Sequence, residues 1–163
     1  MTQPRNNRKI SRRNFLEIAW GASLTALFGQ AGIGLLRFLK PHVEPGAFGT
    51  KVVAGNVGEF QPGTVNHVQK GRFFISRLED GSMLALWHRC PHLGCTIPWR
   101  EDEGQFHCPC HSSIFNAMGE LISGPSPRPM DLFPIEIKDN QVVVDTGSPL
   151  QRDEFHPSQA VTV

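Results

Sequence analysis

The chain has 163 residues and a formal net charge of +1, so it holds one ordinary domain with at most a short anchor or tail, and two full domains are excluded. From residue 51 onward there are 9 basic and 13 acidic side chains, whereas five basic and no acidic side chains occupy the first thirteen residues. A basic segment confined to the N-terminus indicates membrane topology and argues against a nucleic-acid partner.

The first predicted element is a single transmembrane anchor over residues 17–39. Residues 18–36 are apolar, interrupted only by small residues, Thr25 and Gln30, and a helix of about 20 apolar residues crosses a bilayer. Arg and Lys are more numerous before this run than after it. We therefore expect residues 1–16 to stay in the cytoplasm and the rest to lie on the extracytoplasmic side of a bacterial cytoplasmic membrane.

Residues 11–16, SRRNFL, resemble a twin-arginine export signal centred on Arg12 and Arg13. That pathway exports folded proteins, which suits a cofactor inserted before export. A cleaved signal peptide is the alternative interpretation. However, the apolar run exceeds the 7–15 residues usual for a signal-peptide core and has no clear cleavage site, so we expect the anchor to be retained.

After the anchor, prolines and glycines in residues 40–50 predict a flexible hinge. Residues 51–147 are predicted to form a mainly antiparallel β domain. Asp80-Gly81 and Asp139-Asn140 are flanked by apolar runs (72–78 and 82–88; 133–138 and 141–145), which is typical of β-hairpins. The cysteine-rich segments fall on loops within residues 88–130. Residues 148–163 are a polar C-terminal tail, either an ordered arm or a loose segment.

Two short segments hold all four cysteines: CPHLGC (residues 90–95, the first cysteine loop) and CPCHSS (residues 108–113, the second cysteine loop). Two structural disulfides would suit an exported protein but leave His92 and His111 without a role. A catalytic Cys-His pair leaves three cysteines unused. A zinc site is possible by residue type, although the usual pattern pairs Cys-x2-Cys with a second close pair.

One arrangement gives a role to all four cysteines and both histidines of the two loops. In it Cys90, His92, Cys108 and His111 are four ligands, and Cys95 and Cys110 are left to bond to each other. A binuclear iron–sulfur cluster needs four ligands, and two imidazoles in place of two thiolates on one iron make a Rieske centre. Because imidazole is neutral, the potential of such a centre rises to roughly −150 to +300 mV, against about −400 mV for all-cysteine plant-type ferredoxins.

The spacing Cys-x-His-x15-Cys-x2-His resembles that of the Rieske iron–sulfur protein of cytochrome bc and bf complexes. The resemblance implies that Cys90 and Cys108 bind one iron of a [2Fe-2S] cluster, that His92 and His111 bind the other through Nδ1, and that Cys95 and Cys110 form a disulfide. Residues 124–129, GPSPRP, resemble the family's proline-rich loop over the cluster, in which Gly124, Pro125 and Pro127 surround the site.

This chain departs from the family pattern at two positions in or after the second cysteine loop. Ser112 replaces the usual glycine, whereas Ser113 keeps the serine that donates a hydrogen bond to a bridging sulfide. Phe115 stands where the family often has a tyrosine that donates to a cysteine sulfur, and the chain contains no tyrosine. Since a lost hydrogen bond to sulfur lowers the potential, we expect a low-potential centre matched to menaquinol.

The function implied by the resemblance is electron transfer in a quinol–cytochrome c or quinol–plastocyanin-type reductase. The domain would accept an electron from quinol at a cytochrome b subunit and pass it to a c- or f-type cytochrome. His111 would receive the quinol hydrogen bond and proton, with His92 as the second exposed ligand. The alternatives are a Rieske subunit of another exported oxidoreductase, such as arsenite oxidase, and a structural zinc module. His88 and His107 have the wrong spacing for ligands.

Overall fold

The computed structural model describes residues 11–40 and 46–162, which fall into two units. The first is helix α1 (Arg12–Leu39), whose N-cap Ser11 accepts a hydrogen bond from the backbone N–H of Asn14. The apolar part of α1, residues 18–36, is about 28 Å long at 1.5 Å per residue. Helix α1 is therefore long and apolar enough to cross a bilayer core of about 30 Å, and the two arginines of the predicted export signal lie in its first turn.

The second unit contains eleven strands in three antiparallel sheets, which confirms the predicted fold class. The first sheet joins β1 (Lys51–Asn56), β11 (Gln141–Asp145) and β10 (Ile135–Lys138) in that order. The second joins β2 (Thr64–Val68), β3 (Phe73–Arg77), β4 (Met83–Trp87) and β9 (Leu132–Phe133). The third joins β5 (Trp99–Arg100), β6 (Gln105–His107), β7 (Ile114–Phe115) and β8 (Leu121–Ser123).

The two predicted hairpins are present. In one, Arg77 of β3 pairs with Met83 of β4. In the other, β10 and β11 are joined by Asp139 and Asn140, whose φ angles of 49° and 63° are those that a two-residue hairpin turn requires.

The sequence predicts that the second hairpin begins at Phe133, and this prediction is wrong, because β10 begins at Ile135. Phe133 belongs to β9 and pairs with Ala85 in the second sheet. Pro134 separates the two strands, since proline has no N–H to donate to a ladder.

Strands β3 and β4 of the second sheet are buried on both faces. Successive side chains of a strand point to opposite sides, so each strand contributes to two cores. Phe73 and Ile75 lie in a first core, shared with the first sheet, whereas Phe74 lies in a second core, shared with the third sheet. The second core ends at the thiols of Cys90 and Cys108. The cysteine loops are thus mounted on a rigid, close-packed base.

Part of the predicted hinge is attached to the β domain. The N–H of Gly49 donates to Oγ1 of Thr146 at 2.8 Å, and the ring of Phe48 lies 5.9 Å from that of Trp87. Residues 46–50 therefore pack with the domain rather than forming a free linker. Residues 41–45 of the predicted hinge, residues 1–10 of the predicted cytoplasmic segment and the last residue of the predicted tail lie outside the described residues.

Residues 148–162, the C-terminal arm, are folded onto the domain. Leu150 bridges Leu132, and Val161 bridges Met83. Arg152 is only 6% exposed, and its Nε donates to the carbonyl of Met130 at 2.9 Å, while its guanidinium also donates to the carbonyl of Met118. Burial lowers the pKa of Arg152 to about 10. The arm thus braces the chain that follows the second cysteine loop.

Candidate metal centre

The two cysteine loops have the same backbone geometry. In the first, the N–H of Cys90 donates to the carbonyl of Cys95 at 2.8 Å, and the N–H of Gly94 donates back to Cys90 at 2.9 Å. In the second, Cys108 donates to Ser113 at 2.8 Å and Ser112 donates back to Cys108 at 3.1 Å. Each loop is a closed turn that begins at a cysteine and carries a histidine as its third or fourth residue.

Cys95 and Cys110 form a disulfide with a Cα–Cα distance of 6.7 Å, which confirms the predicted pair. The bond joins the end of the first cysteine loop to the third residue of the second. The sulfurs of Cys95, Cys108 and Cys110 lie within 4.8 Å of one another, but two of them are bonded together and cannot serve as thiolate ligands. This trio is therefore not a metal site.

The other two cysteines, Cys90 and Cys108, are free thiols that are only 2% and 3% exposed. Burial raises the pKa of the Cys90 thiol. The backbone N–H of His92 opposes this shift, and the neighbouring Cys108 thiol adds to it. Two adjacent buried thiols are costly as anions unless a cation compensates them. The pair fits a soft metal centre.

His92 and His111 lie next to each other at the outer side of the loops. Their ring centroids are 4.9 Å apart and the ring planes are nearly perpendicular, at 89°. His92 is half-buried and His111 is exposed, whereas the cysteine thiols are buried. The donor set is thus polarised, with sulfur toward the second core and imidazole toward solvent. This set fits a [2Fe-2S] cluster with one buried and one accessible iron.

The remaining described histidines have neighbours outside the two loops. Nε2 of His107 lies 2.7 Å from a carboxylate oxygen of Glu103. The ring of His88 lies 5.6 Å from that of His67, and Nδ1 of His88 is buried without a hydrogen-bond partner among the described residues. Burial lowers the pKa of His67 and of His88.

The proline-rich loop, residues 124–129, contacts the second cysteine loop through backbone atoms. A Cβ added to Gly124 would lie 2.5 Å from Cα of Ser113, so only glycine allows this approach. The N–H of Ser126 donates to Oγ of Ser113 at 3.2 Å. Because Ser113 accepts this bond, its own hydroxyl hydrogen is left to donate elsewhere.

Pro125 and Pro127 are exposed, and the buried residue between them is Ser126. Sequence reasoning missed Ser126, although a signal exists: both flanking prolines lack an N–H, so Ser126 is the sole donor of the Pro-Ser-Pro segment.

Phe115 is fully buried in β7, where it pairs with Phe106. It belongs to the second core together with Cys90 and Cys108. Its ring therefore offers an apolar surface to the side of the site that holds the thiols, and it carries no donor.

Sequence reasoning also missed two arginines that hold the chain after the second cysteine loop in place. Arg128 forms two hydrogen bonds with the carboxylate of Asp131, just after the proline-rich loop. Arg152 holds the carbonyls of Met118 and Met130. The burial of Arg152 cannot be predicted from the polar sequence around it, because its partners are backbone carbonyls.

Comparison with known proteins gives consistent matches. Residues 50–136 match the family model described as the Rieske [2Fe-2S] domain. Over 155 residues the chain is 31% identical to the cytochrome b6-f complex iron–sulfur subunit 2 of Trichormus variabilis, covering 86% of this chain and 87% of that relative. Over 153 residues it is 46% identical to the cytochrome b6-f complex iron–sulfur subunit of Microcystis aeruginosa, covering 83% and 84%.

Among solved structures, naphthalene 1,2-dioxygenase superposes with a TM-score of 0.51 at 20% identity, covering 63% of this chain and 27% of that one. At this identity the match shows a shared fold alone. The fold is that of the β domain described above.

Proposed function

This chain belongs to the Rieske [2Fe-2S] domain family, and on that premise we propose that it is the electron-transfer subunit of a quinol-oxidising cytochrome complex of the bc or b6-f type. The observation that carries the proposal is the polarised donor set, with two buried thiols and two outward imidazoles on loops joined by a disulfide. The match to relatives named as subunits of cytochrome b6-f complexes supports the choice of complex.

In this proposal Cys90 and Cys108 bind one iron, and His92 and His111 bind the other. The cluster, when bound, accepts and releases one electron at a time. The thiolates lie in the second core, so water is kept from the sulfur side. The imidazoles lie at the outer side, where a quinol can reach them.

His111 is the proposed acceptor of the quinol hydroxyl hydrogen bond, because it is the more exposed of the two imidazoles. An imidazole that binds metal through one nitrogen still has its second nitrogen free to hold or release a proton. With that nitrogen deprotonated, His111 would accept the quinol proton there as the quinol is oxidised. His92, half-buried beside it, is the second group able to do so.

The proposed partners follow from this role. A cytochrome b subunit provides the quinol site, and a c- or f-type cytochrome accepts the electron. Helix α1 anchors the chain in a bacterial cytoplasmic membrane with the N-terminus in the cytoplasm, and the β domain moves between the two partners.

Menaquinol is the proposed substrate. Phe115 is buried in the same core as the thiols and cannot donate a hydrogen bond to sulfur. Fewer donors to the sulfurs leave the reduced state less stabilised, so the centre matches a low-potential quinol.

Purification of the full chain from its native membrane with mild detergent tests the proposal. We expect a dihaem cytochrome b to co-purify with it. Recovery of a molybdopterin subunit instead would assign the chain to another exported oxidoreductase. A colourless preparation that contains zinc and no iron would refute both assignments.

A further inference from the structure

A recess lies beside the first cysteine loop and is lined by most of its residues. Its volume is about 420 Å³, and its lining includes Cys90 and His92 but neither Cys108 nor His111. It is therefore distinct from the space between the two loops. Three side chains with N–H donors reach it from different segments: Arg89 before the first cysteine loop, Arg128 of the proline-rich loop, and Gln151 of the C-terminal arm.

Arg89 is held in place on two sides. Its guanidinium carbon lies 5.2 Å from the centroid of the Trp87 ring, within cation–π distance. The guanidinium also lies against Gly94, since a Cβ added at that residue would lie 2.8 Å from Nε of Arg89. A guanidinium fixed in this way loses less conformational entropy when it binds a ligand.

The charge in the recess is unbalanced. Arg128 is paired with Asp131 through two hydrogen bonds, and Asp131 is the sole acidic residue of the lining. Arg89 has no ion-pair partner among the described residues. The recess is thus locally positive on a domain in which, from residue 51 onward, 13 acidic side chains outnumber 9 basic ones.

We propose that this recess binds a carboxylate group next to His92. The planar guanidinium of Arg89 offers two parallel N–H donors, which match the two oxygens of a carboxylate. Arg128 has five N–H donors and spends two of them on Asp131, so it has donors left. The amide of Gln151 adds a neutral donor. The carboxylate comes either from a free anion or from an acidic side chain on a partner protein.

The test is isothermal titration calorimetry on the full-length, cluster-loaded protein in detergent at low ionic strength, where exposed charges are least screened. One titrant is malonate. The other is an end-blocked hexa-aspartate peptide at the same carboxylate concentration. We expect saturable binding of at least one of them, weakened at least tenfold in Arg89→Gln and by a smaller factor in Arg89→Lys, which keeps the charge and loses the planar fork.

Arg72→Gln is the matched control, since the Arg72 guanidinium carbon likewise lies 5.0 Å from an aromatic ring centroid, that of Phe48, but does not line the recess. It should bind as the wild type does. The midpoint potential of the cluster gives a second readout: the bound anion adds negative charge beside His92, so malonate should lower the potential in the wild type and not in Arg89→Gln.

Binding of malonate and peptide with equal affinity per carboxylate would assign the site to a free anion, and binding of the peptide alone would assign it to a partner protein. Absence of binding by both, or equal binding by Arg89→Gln and the wild type, would overturn the proposal. Neither result would bear on quinol oxidation, which the co-purification experiment tests separately.

Discussion

Ser112 adopts a backbone conformation that suits glycine. Its φ is 57°, and at the matched position of the first cysteine loop Gly94 has a φ of 80°. Both residues donate back to the cysteine that begins their loop, so the turn itself requires a left-handed residue at this place. A side chain in this region costs energy because Cβ crowds the backbone. The second loop therefore carries strain that the first does not.

Replacing Ser112 with glycine should stabilise the protein by about 1 kcal/mol. The measurement is the urea midpoint of unfolding. Ser123→Gly is the matched control, because Ser123 lies in strand β8, where glycine costs about 0.5–1 kcal/mol. Equal destabilisation by both substitutions would show that the Ser112 side chain contributes more than its backbone strain costs.

Phe115 provides the second prediction at this scale. Phe115→Tyr should raise the midpoint potential of the cluster by about 40 mV, since a net hydrogen bond is worth about 1 kcal/mol and about 59 mV corresponds to a tenfold change in a one-electron couple. The measurement is a potentiometric titration followed by electron spin resonance. Phe133→Tyr, which adds the same hydroxyl in the first core, should leave the potential unchanged. An unchanged potential in Phe115→Tyr would remove the argument for menaquinol.

At the scale of single residues, the sequence predicts residues whose side-chain type indicates their chemistry. It does not predict residues that act through backbone N–H or carbonyl groups. The disulfide between Cys95 and Cys110 was predictable from the family resemblance of its loops. Ser126 and Arg152 were not predicted, because Ser126 acts through its N–H and Arg152 through two carbonyls. Arg89 carried no signal either, since its position depends on the ring of Trp87 and the absent side chain of Gly94.

At the scale of elements, the proline-rich loop packs closely against the second cysteine loop. The loop passes over Ser113 at a distance that leaves no room for a Cβ on Gly124, whose φ of 109° also favours glycine. The hydrogen bond from Ser126 to Ser113 depends on this approach. The proline-rich loop can thus take this position only with glycine at residue 124.

Gly124→Ala should therefore destabilise the protein by roughly 3 kcal/mol, as the sum of backbone strain and a steric clash with backbone atoms. Chemical unfolding of the variant measures this. Gly104→Ala separates the two causes, since Gly104 has a φ of 63° and nothing within 4 Å of an added Cβ; it should cost about 1 kcal/mol. A loss in Gly124→Ala no larger than that in Gly104→Ala would show that the loop shifts freely.

Elements were predictable where turn chemistry marks them. The turns at Asp80-Gly81 and Asp139-Asn140 located two hairpins correctly. Strands β5 to β9 have two or three residues each, and runs this short show no periodicity. The C-terminal arm could not be resolved from its polar composition, because it is ordered by Arg152 and by two β-bridges to distant segments.

At the scale of the whole molecule, the chain combines a membrane-length helix with a separate β domain. The proposed cysteine chemistry of the domain would require two conditions: a cluster that is assembled with free Cys90 and Cys108, and an oxidising compartment in which Cys95 and Cys110 pair. The proposed export signal at Arg12 and Arg13 would reconcile these conditions, because assembly would then precede export.

Replacing both Arg12 and Arg13 with lysine should hold the protein in the cytoplasm, since the charge is kept while the paired arginines of the signal are lost. Alkylation followed by mass analysis should then find Cys95 and Cys110 reduced, whereas they are oxidised in the wild type. Arg37→Lys, in the last turn of α1, is the control and should be exported normally. Export of the double variant would show that another route is used.

The midpoint potential of the cluster-loaded protein, measured from pH 5 to 11, tests ligation by two cysteines and two histidines most directly. Oxidised iron draws electron density from imidazole, so the histidine N–H ionises more readily in the oxidised state than in the reduced state. We predict a potential within roughly −150 to +300 mV that is constant at low pH and falls by about 59 mV per unit once the first histidine ionises. A potential near about −400 mV that does not change with pH would contradict histidine ligation.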